Sequence, residues 1–125
     1  TTGSEVVALG ESLWRKSGLG PQNIDVAQIY DHFAPLVLTS LEDLGFCSKG
    51  EAGAFVGEGR IGLEGELPLN TAGGLLSEGY IHGWNLIAEG VRQIRGTSTS
   101  QVKDVELSLV TSCWGAPTSA VILSR

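Results

Sequence analysis

The 125 residues suit one domain with one modest core, and a 42% hydrophobic content excludes a disordered chain. A net charge of −6 without any Lys/Arg cluster excludes nucleic acid and anionic membrane as main partners. No apolar run approaches a membrane span, so a soluble protein is expected, and the low charge (18%) with 18 glycines points to surface that another domain or subunit covers.

Within residues 4–17, Val6, Val7, Leu9, Leu13 and Trp14 recur near helical spacing, and Gly18 and Gly20-Pro21 end the helix. The chain starts inside this helix, which leaves any targeting segment open. Ile24 to Tyr30 alternates as a strand does. A second helix carries Phe33, Leu36, Val37, Ser40, Leu41 and Leu44 on one face, with Pro35 in its first turn and Gly45 just past its end. Residues 46–66 are rich in Gly and Glu without periodicity, so a long irregular excursion is expected, a length usually tied to function or disorder. Leu67 to Asn70 is a short extended piece, and Thr71 to Gly74 turns the chain. A third helix is expected from about Tyr80 to Ile94, with Tyr80, Trp84, Ile87, Ala88, Val91 and Ile94 on one side and Gly96 closing it. Val105, Leu107 and Leu109 alternate as a half-covered strand, and Ala120 to Leu123 read as a buried one. The order is helix, strand, helix, loop, strand, helix, strand, strand: one α/β domain over residues 1–125 with a closing antiparallel hairpin. Cys47 and Cys113 lie far apart with no metal-ligand spacing, so no metal and a reducing, cytoplasmic setting are expected.

Three turns carry unusual residues: Tyr30 to Phe33, Asn70 to Tyr80, and Cys113 to Thr118. Each lies at a strand end or between a strand and a helix, the edge where open α/β sheets bind ligands. Gly73-Gly74 provides either a tight turn or a close backbone approach, and neither a dinucleotide fingerprint nor a Walker lysine is present. Tyr30 and Tyr80 serve either as packed rings or as catalysts; a phenol titrates near pH ~10 and needs positive charge or hydrogen bonds to act as a base at neutrality. His32 and His82 are candidate helpers, or else surface or capping residues. Asp31 either holds His32 or caps the helix starting near Ala34, the cap being the favoured role. Cys113 reads as a small buried residue or a thiol nucleophile, with nothing adjacent in sequence to lower its pKa.

At these turns the sequence resembles the thiolase superfamily. Thiolases carry Asn-Glu-Ala-Phe where this chain has Tyr30-Asp31-His32-Phe33. Their Asn-x-x-Gly-Gly followed by Gly-His-Pro corresponds to Asn70-x-x-Gly73-Gly74 and Gly79-Tyr80-Ile81 at the same spacing. Their Cys-x-Gly-Gly-Gly corresponds to Cys113-Trp114-Gly115-Ala116-Pro117. The resemblance runs over nearly the whole chain and is to the C-terminal half; the half with the thiolase nucleophile has no counterpart here. The stretches Leu41 to Cys47, Gly73 to Gly83 and Pro117 to Ala120 resemble the "lipid-transfer protein" branch, which includes aldolases of steroid side-chain degradation.

The resemblance implies a mixed sheet of about five strands with helices on both faces, in a fragment or half of a dimeric two-half protein. It implies retro-aldol cleavage of a β-hydroxyacyl-CoA steroid side chain to a ring ketone and propionyl-CoA. Tyr30 is then the base and Tyr80 the acid, with His32 or His82 tuning them. Asn70, Gly73, Gly74, Cys113 and Gly115 are the implied substrate-binding residues. Coenzyme A enters as part of the substrate, no cofactor is implied, and the partner is a small DUF35-class protein with an OB-fold. The rival readings are a thiolase (acyl-CoA acetyltransferase) and a non-catalytic thiolase-like subunit that binds lipid-CoA.

Overall fold

The computed structural model describes residues 5–79, 81–112 and 118–125. Helix α1 (Glu5–Ser17) is followed by a 3-10 turn at Pro21–Asn23 and strand β1 (Val26–Gln28). Then come α2 (Ala34–Asp43), α3 (Ala52–Gly57), α4 (Trp84–Arg95), β2 (Leu107–Thr111) and β3 (Ala120–Ser124). Among the described residues the sheet has three strands in the order β1-β2-β3, not about five. β1 runs parallel to β2, with Ala27 opposite Leu109, and β2 runs antiparallel to β3, with Leu109 opposite Ile122.

The extended piece at 67–70 contributes one isolated parallel bridge, Ala27 to Leu69, rather than a strand. Pro68 has no N–H to give a ladder, although its carbonyl accepts from the Ala27 N–H at 3.0 Å. Asn70 then turns left-handed at φ 48° and takes the chain off the sheet.

Alternation along the strands sends successive side chains to opposite faces. Ala27, Ile29 and Leu109 join Val6, Ile24, Leu41, Leu44, Phe55 and Leu67 in the main core, which α1, α2 and α3 cover. The Trp14 indole N–H donates to the Leu44 carbonyl at 3.1 Å and its ring meets Phe46 edge-on, pinning α1 to the end of α2. Tyr30, Leu86 and Val110 form a smaller cluster on the opposite face, under α4. Helices therefore lie on both faces, as expected.

Residues 46–66 are more ordered than their composition suggests. α3 forms because Ala52 and Phe55 bury against the core, at 2% and 3% exposure, which offsets the poor helix propensity of its glycines. The Glu42 carboxylate accepts the Ala52 N–H at 3.1 Å. Arg60 pairs with Glu66 and lies 4.3 Å over the Phe55 ring centroid, closing the excursion on itself.

Helix α4 corrects the sequence reading twice. It begins at Trp84, after Gly83 at φ 83°, rather than near Tyr80. Its buried side is Asn85, Leu86, Glu89, Gly90 and Gln93, whereas Trp84 is 68% and Ile87 37% exposed. The apolar stripe is thus the more exposed side of the helix. Gly90 permits the inverted arrangement by close approach: a β-carbon there would lie 2.6 Å from Val110 Cγ2. Among the described residues, no helix is long and apolar enough to cross a membrane.

Candidate active site

The C-terminal end of β1, the 70–75 turn and the N-terminal end of α4 meet around Tyr30. Its N–H donates to Thr111 Oγ1, at the end of β2, at 3.1 Å. Its ring is 9% exposed and packs with Leu86 and Val110, with Leu75 and Leu123 alongside. Gly83 closes on the ring so tightly that a β-carbon would sit 3.0 Å from Tyr30 Cε2. The sequence alone placed Tyr30 at a strand end; packing holds both its backbone and its ring.

The flanking residues are gripped as well. The Asn70 side chain accepts the Ile29 N–H at 2.8 Å and donates to the Ile29 carbonyl at 2.9 Å. On the other side, Asp31 is 5% exposed, and its Oδ1 accepts the Leu75 N–H at 2.9 Å. Asp31 therefore does not cap α2, whose N-cap position, Phe33, makes no side-chain cap bond. The carboxylate reaches across to the glycine turn instead. Gly74, at φ 66°, lies against it: a β-carbon would be 2.2 Å from Asp31 Oδ2. The pair Gly73-Gly74 thus combines left-handed backbone with close approach.

His32 is half-buried, with its ring 5.2 Å from that of Tyr30 and 5.1 Å from that of Phe33. Its Nδ1 is buried and has no hydrogen-bond partner among the described residues. His82 is exposed in the left-handed region at φ 54° and lines a recess of about 130 Å³ with Gly83, Thr111, Ser112 and Ser119. The fold thus brings Tyr30, His32, Asn70, Gly73, Gly74 and His82 to one end of the sheet. Tyr80, Cys113 and Gly115 lie outside the described residues. An apolar groove of about 410 Å³ opens beside Asp31 and Asn70, lined by Pro35, Leu38, Val56 and Leu76.

A buried polar network behind the turn escaped the sequence reading. The Thr71 hydroxyl donates to Glu89 Oε1 at 2.6 Å and accepts from Gln28 Nε2 at 3.1 Å and Gln93 Nε2 at 3.0 Å. Ser98 also donates to Glu89 Oε1 at 2.6 Å. Gln28, Glu89 and Gln93 are all at most 2% exposed, so these bonds compensate side chains that burial would otherwise penalise. A helix position carrying Glu89 and Gln93 four residues apart reads as a solvated face, and only tertiary partners reveal it as an interior one.

Comparison with known proteins places these residues in context. The family model described as thiolase C-terminal domain-like matches residues 2–125. A "17-hydroxy-3-oxo-4-pregnene-20-carboxyl-CoA lyase" of Mycobacterium tuberculosis is 55% identical over 95% of this chain and 31% of its own. A "steroid side-chain-cleaving aldolase" of Thermomonospora curvata is 53% identical over 95% of this chain and 30% of its own. A solved structure described as "Ltp2-ChsH2(DUF35) aldolase" superposes with a TM-score of 0.95 at 52% identity, covering 99% of this chain and 33% of that one. The chain thus spans about a third of the length of the relatives it matches.

Proposed function

The chain belongs to the thiolase C-terminal domain-like family, and from that premise we propose that it is the C-terminal part of an aldolase acting on a steroid CoA thioester. The observation that carries this reading is Tyr30: a buried phenol, fixed through backbone and ring, where thiolases carry asparagine. The names of the two relatives above support the substrate class.

The reaction is a retro-aldol cleavage. Tyr30 takes the proton of the tertiary hydroxyl on the ring carbon that bears the side chain. The carbon–carbon bond breaks, a ring ketone forms, and the electron pair becomes the enolate of propionyl-CoA. Tyr80 then protonates the enolate carbon. Stabilisation of the developing thioester oxyanion by hydrogen-bond donors is the main catalytic requirement. No acyl-enzyme forms, so no cysteine nucleophile is needed. Asn70, Gly73 and Gly74 shape the substrate side of the turn, and Cys113 and Gly115 belong to the same proposed site. His32, whose ring lies beside the Tyr30 ring, tunes the base, and His82 faces the same sheet end. Coenzyme A enters as part of the substrate, and no further cofactor is invoked.

The proposal extends to assembly and setting. The likeness to a solved aldolase that carries a DUF35 component supports a DUF35-class partner. The exposed Trp84 and Ile87 on α4 support packing of this domain against the rest of a longer, dimeric protein. A cytoplasmic setting completes the reading.

The test is propionyl-CoA release from a 17-hydroxy steroid C22 CoA thioester by the whole protein with its DUF35-class partner. Wild type releases it, and Tyr30→Phe and Tyr80→Phe each lose most of the rate. Release that survives both substitutions together removes the assigned residues. Thiolysis of a 3-ketoacyl-CoA in place of release returns the protein to the thiolases.

A further inference from the structure

We propose that Asp31 is a positioning residue: its carboxylate fastens the Gly73–Leu75 turn to the end of β1 and so sets the separation between Tyr30 and the segment leading to Tyr80. This rests on the aldolase reading for its chemical consequence but not for its structural content.

Three observations converge. Asp31 is 5% exposed and spends its Oδ1 on the Leu75 N–H, 44 positions away, rather than on its own helix. Gly74 leaves no room between turn and carboxylate, since a β-carbon would lie 2.2 Å from Oδ2 and 2.8 Å from Cγ. Asp31 is also the immediate neighbour of Tyr30, whose N–H is fixed to Thr111. A shift of the turn relative to Asp31 is therefore a shift relative to the phenol. Tyr80 follows Leu75 by five positions, so the turn leads into the segment that carries the second tyrosine.

A buried backbone N–H needs an acceptor, and an oxygen in the Asp31 Oδ1 position supplies it whether the group is a carboxylate or an amide. The fastener is thus a hydrogen-bond acceptor of set length, and that separates it from a group acting through charge. Asparagine at this position keeps the acceptor, and alanine removes it. Misplacing reacting groups by about 1 Å can cost on the order of 100-fold in rate, so loss of the fastener is expected in kcat rather than in KM.

The experiment compares Asp31→Ala, Asp31→Asn and Gly74→Ala in the whole protein with its partner. It follows propionyl-CoA release across pH and amide exchange in the segment 72–79. Asp31→Ala should lower kcat about 30-fold with KM within about 3-fold, and should speed exchange at Leu75 about 10-fold or more. Asp31→Asn should restore both to within about 3-fold of wild type, with an unchanged pH profile. Gly74→Ala, which displaces the carboxylate while leaving it present, should reproduce the kcat loss even if Asp31→Ala fails to fold. Wild-type exchange at Leu75 in Asp31→Ala overturns the fastener, and fast exchange with full kcat overturns its link to the chemistry. An Asp31→Asn variant as impaired as alanine, with an altered pH profile, overturns the positioning role in favour of a charged one. Exchange needs no substrate, so absence of propionyl-CoA release by wild type counts against the aldolase reading while the exchange contrast still decides the fastener.

Discussion

Replacing Gly90 by alanine tests the close contact between α4 and the sheet. Helix propensity alone predicts stabilisation, since alanine is favoured over glycine by about 1 kcal/mol in a helix interior. The structure predicts the opposite. The new methyl would lie 2.6 Å from Val110 Cγ2, 3.2 Å from Leu123 Cδ1 and 3.3 Å from Ser108 Oγ. Carbon atoms prefer about 3.5–4.0 Å, so α4 must lift by about 1 Å or Val110 must leave its rotamer. Overpacking of this kind costs about 1–3 kcal/mol, which leaves Gly90→Ala neutral to about 2 kcal/mol less stable. Gly10 provides a matched control. It is also buried within a helix, but a methyl there meets Asp43 O at 3.4 Å and Leu44 Cα at 3.5 Å, ordinary contact distances. Gly10→Ala therefore keeps the propensity gain of about 1 kcal/mol. Chemical denaturation of both variants of the whole protein isolates the packing cost, because the propensity terms cancel. The expected gap is about 1–3 kcal/mol. Equal stabilisation of both variants would refute the close approach of α4.

Glu89→Ala should cost about 3 kcal/mol or more by denaturant unfolding, because Thr71, Ser98 and Gln93 lose a buried acceptor; Glu89→Gln, which keeps an acceptor oxygen, should cost less. The Glu42 carboxyl is held below its ordinary 4.5 by backbone N–H groups of Gly50 and Ala52. A depressed native pKa gives a stability contribution that is present above 4.5 and lost as pH falls through the native value. The stability difference between wild type and Glu42→Gln should therefore shrink on acidification below 4.5, as followed by thermal unfolding from neutral pH downward. Gly83→Ala combines a β-carbon 3.0 Å from the Tyr30 ring with a left-handed backbone at φ 83°, and should destabilise by about 1–3 kcal/mol in the same unfolding assay.

Local signals carried much of the fold. Helical spacing and Gly45 bounded α2, alternation found β2, and a continuous apolar run found β3, although β2, expected half-covered, is the buried strand and β3, expected buried, leaves Val121 42% exposed. The strand-end positions of Tyr30 and Asn70 were legible for the same reason. The misreadings share a physical cause: each residue's environment is set by partners distant in sequence. Asp31 looks like a cap because its neighbour is a helix, yet the N–H it accepts belongs to Leu75. The apolar stripe of α4 looks like a core face, but Gly90 and the Thr71–Glu89–Gln93 network make the polar side the interior one. α3 has no periodicity to read, because burial of Phe55 rather than propensity forms it.

Asn70 has a consequence for how the sheet ends. Its amide group is, in hydrogen-bonding terms, a peptide unit detached from the main chain, and it meets the Ile29 N–H and carbonyl as a neighbouring strand would. The ladder therefore gains a rung that no strand supplies. A true strand would have forced the backbone after residue 69 to keep running alongside β1. The side-chain rung removes that constraint, and the main chain is free to swing left-handed toward Gly73, Gly74 and the waiting carboxylate of Asp31. Aspartate cannot supply this rung, because when ionised it accepts but does not donate. Glutamine carries the right groups on a stem one carbon too long. The edge of the sheet and the opening of the site are thus made by one residue type with little chemical latitude.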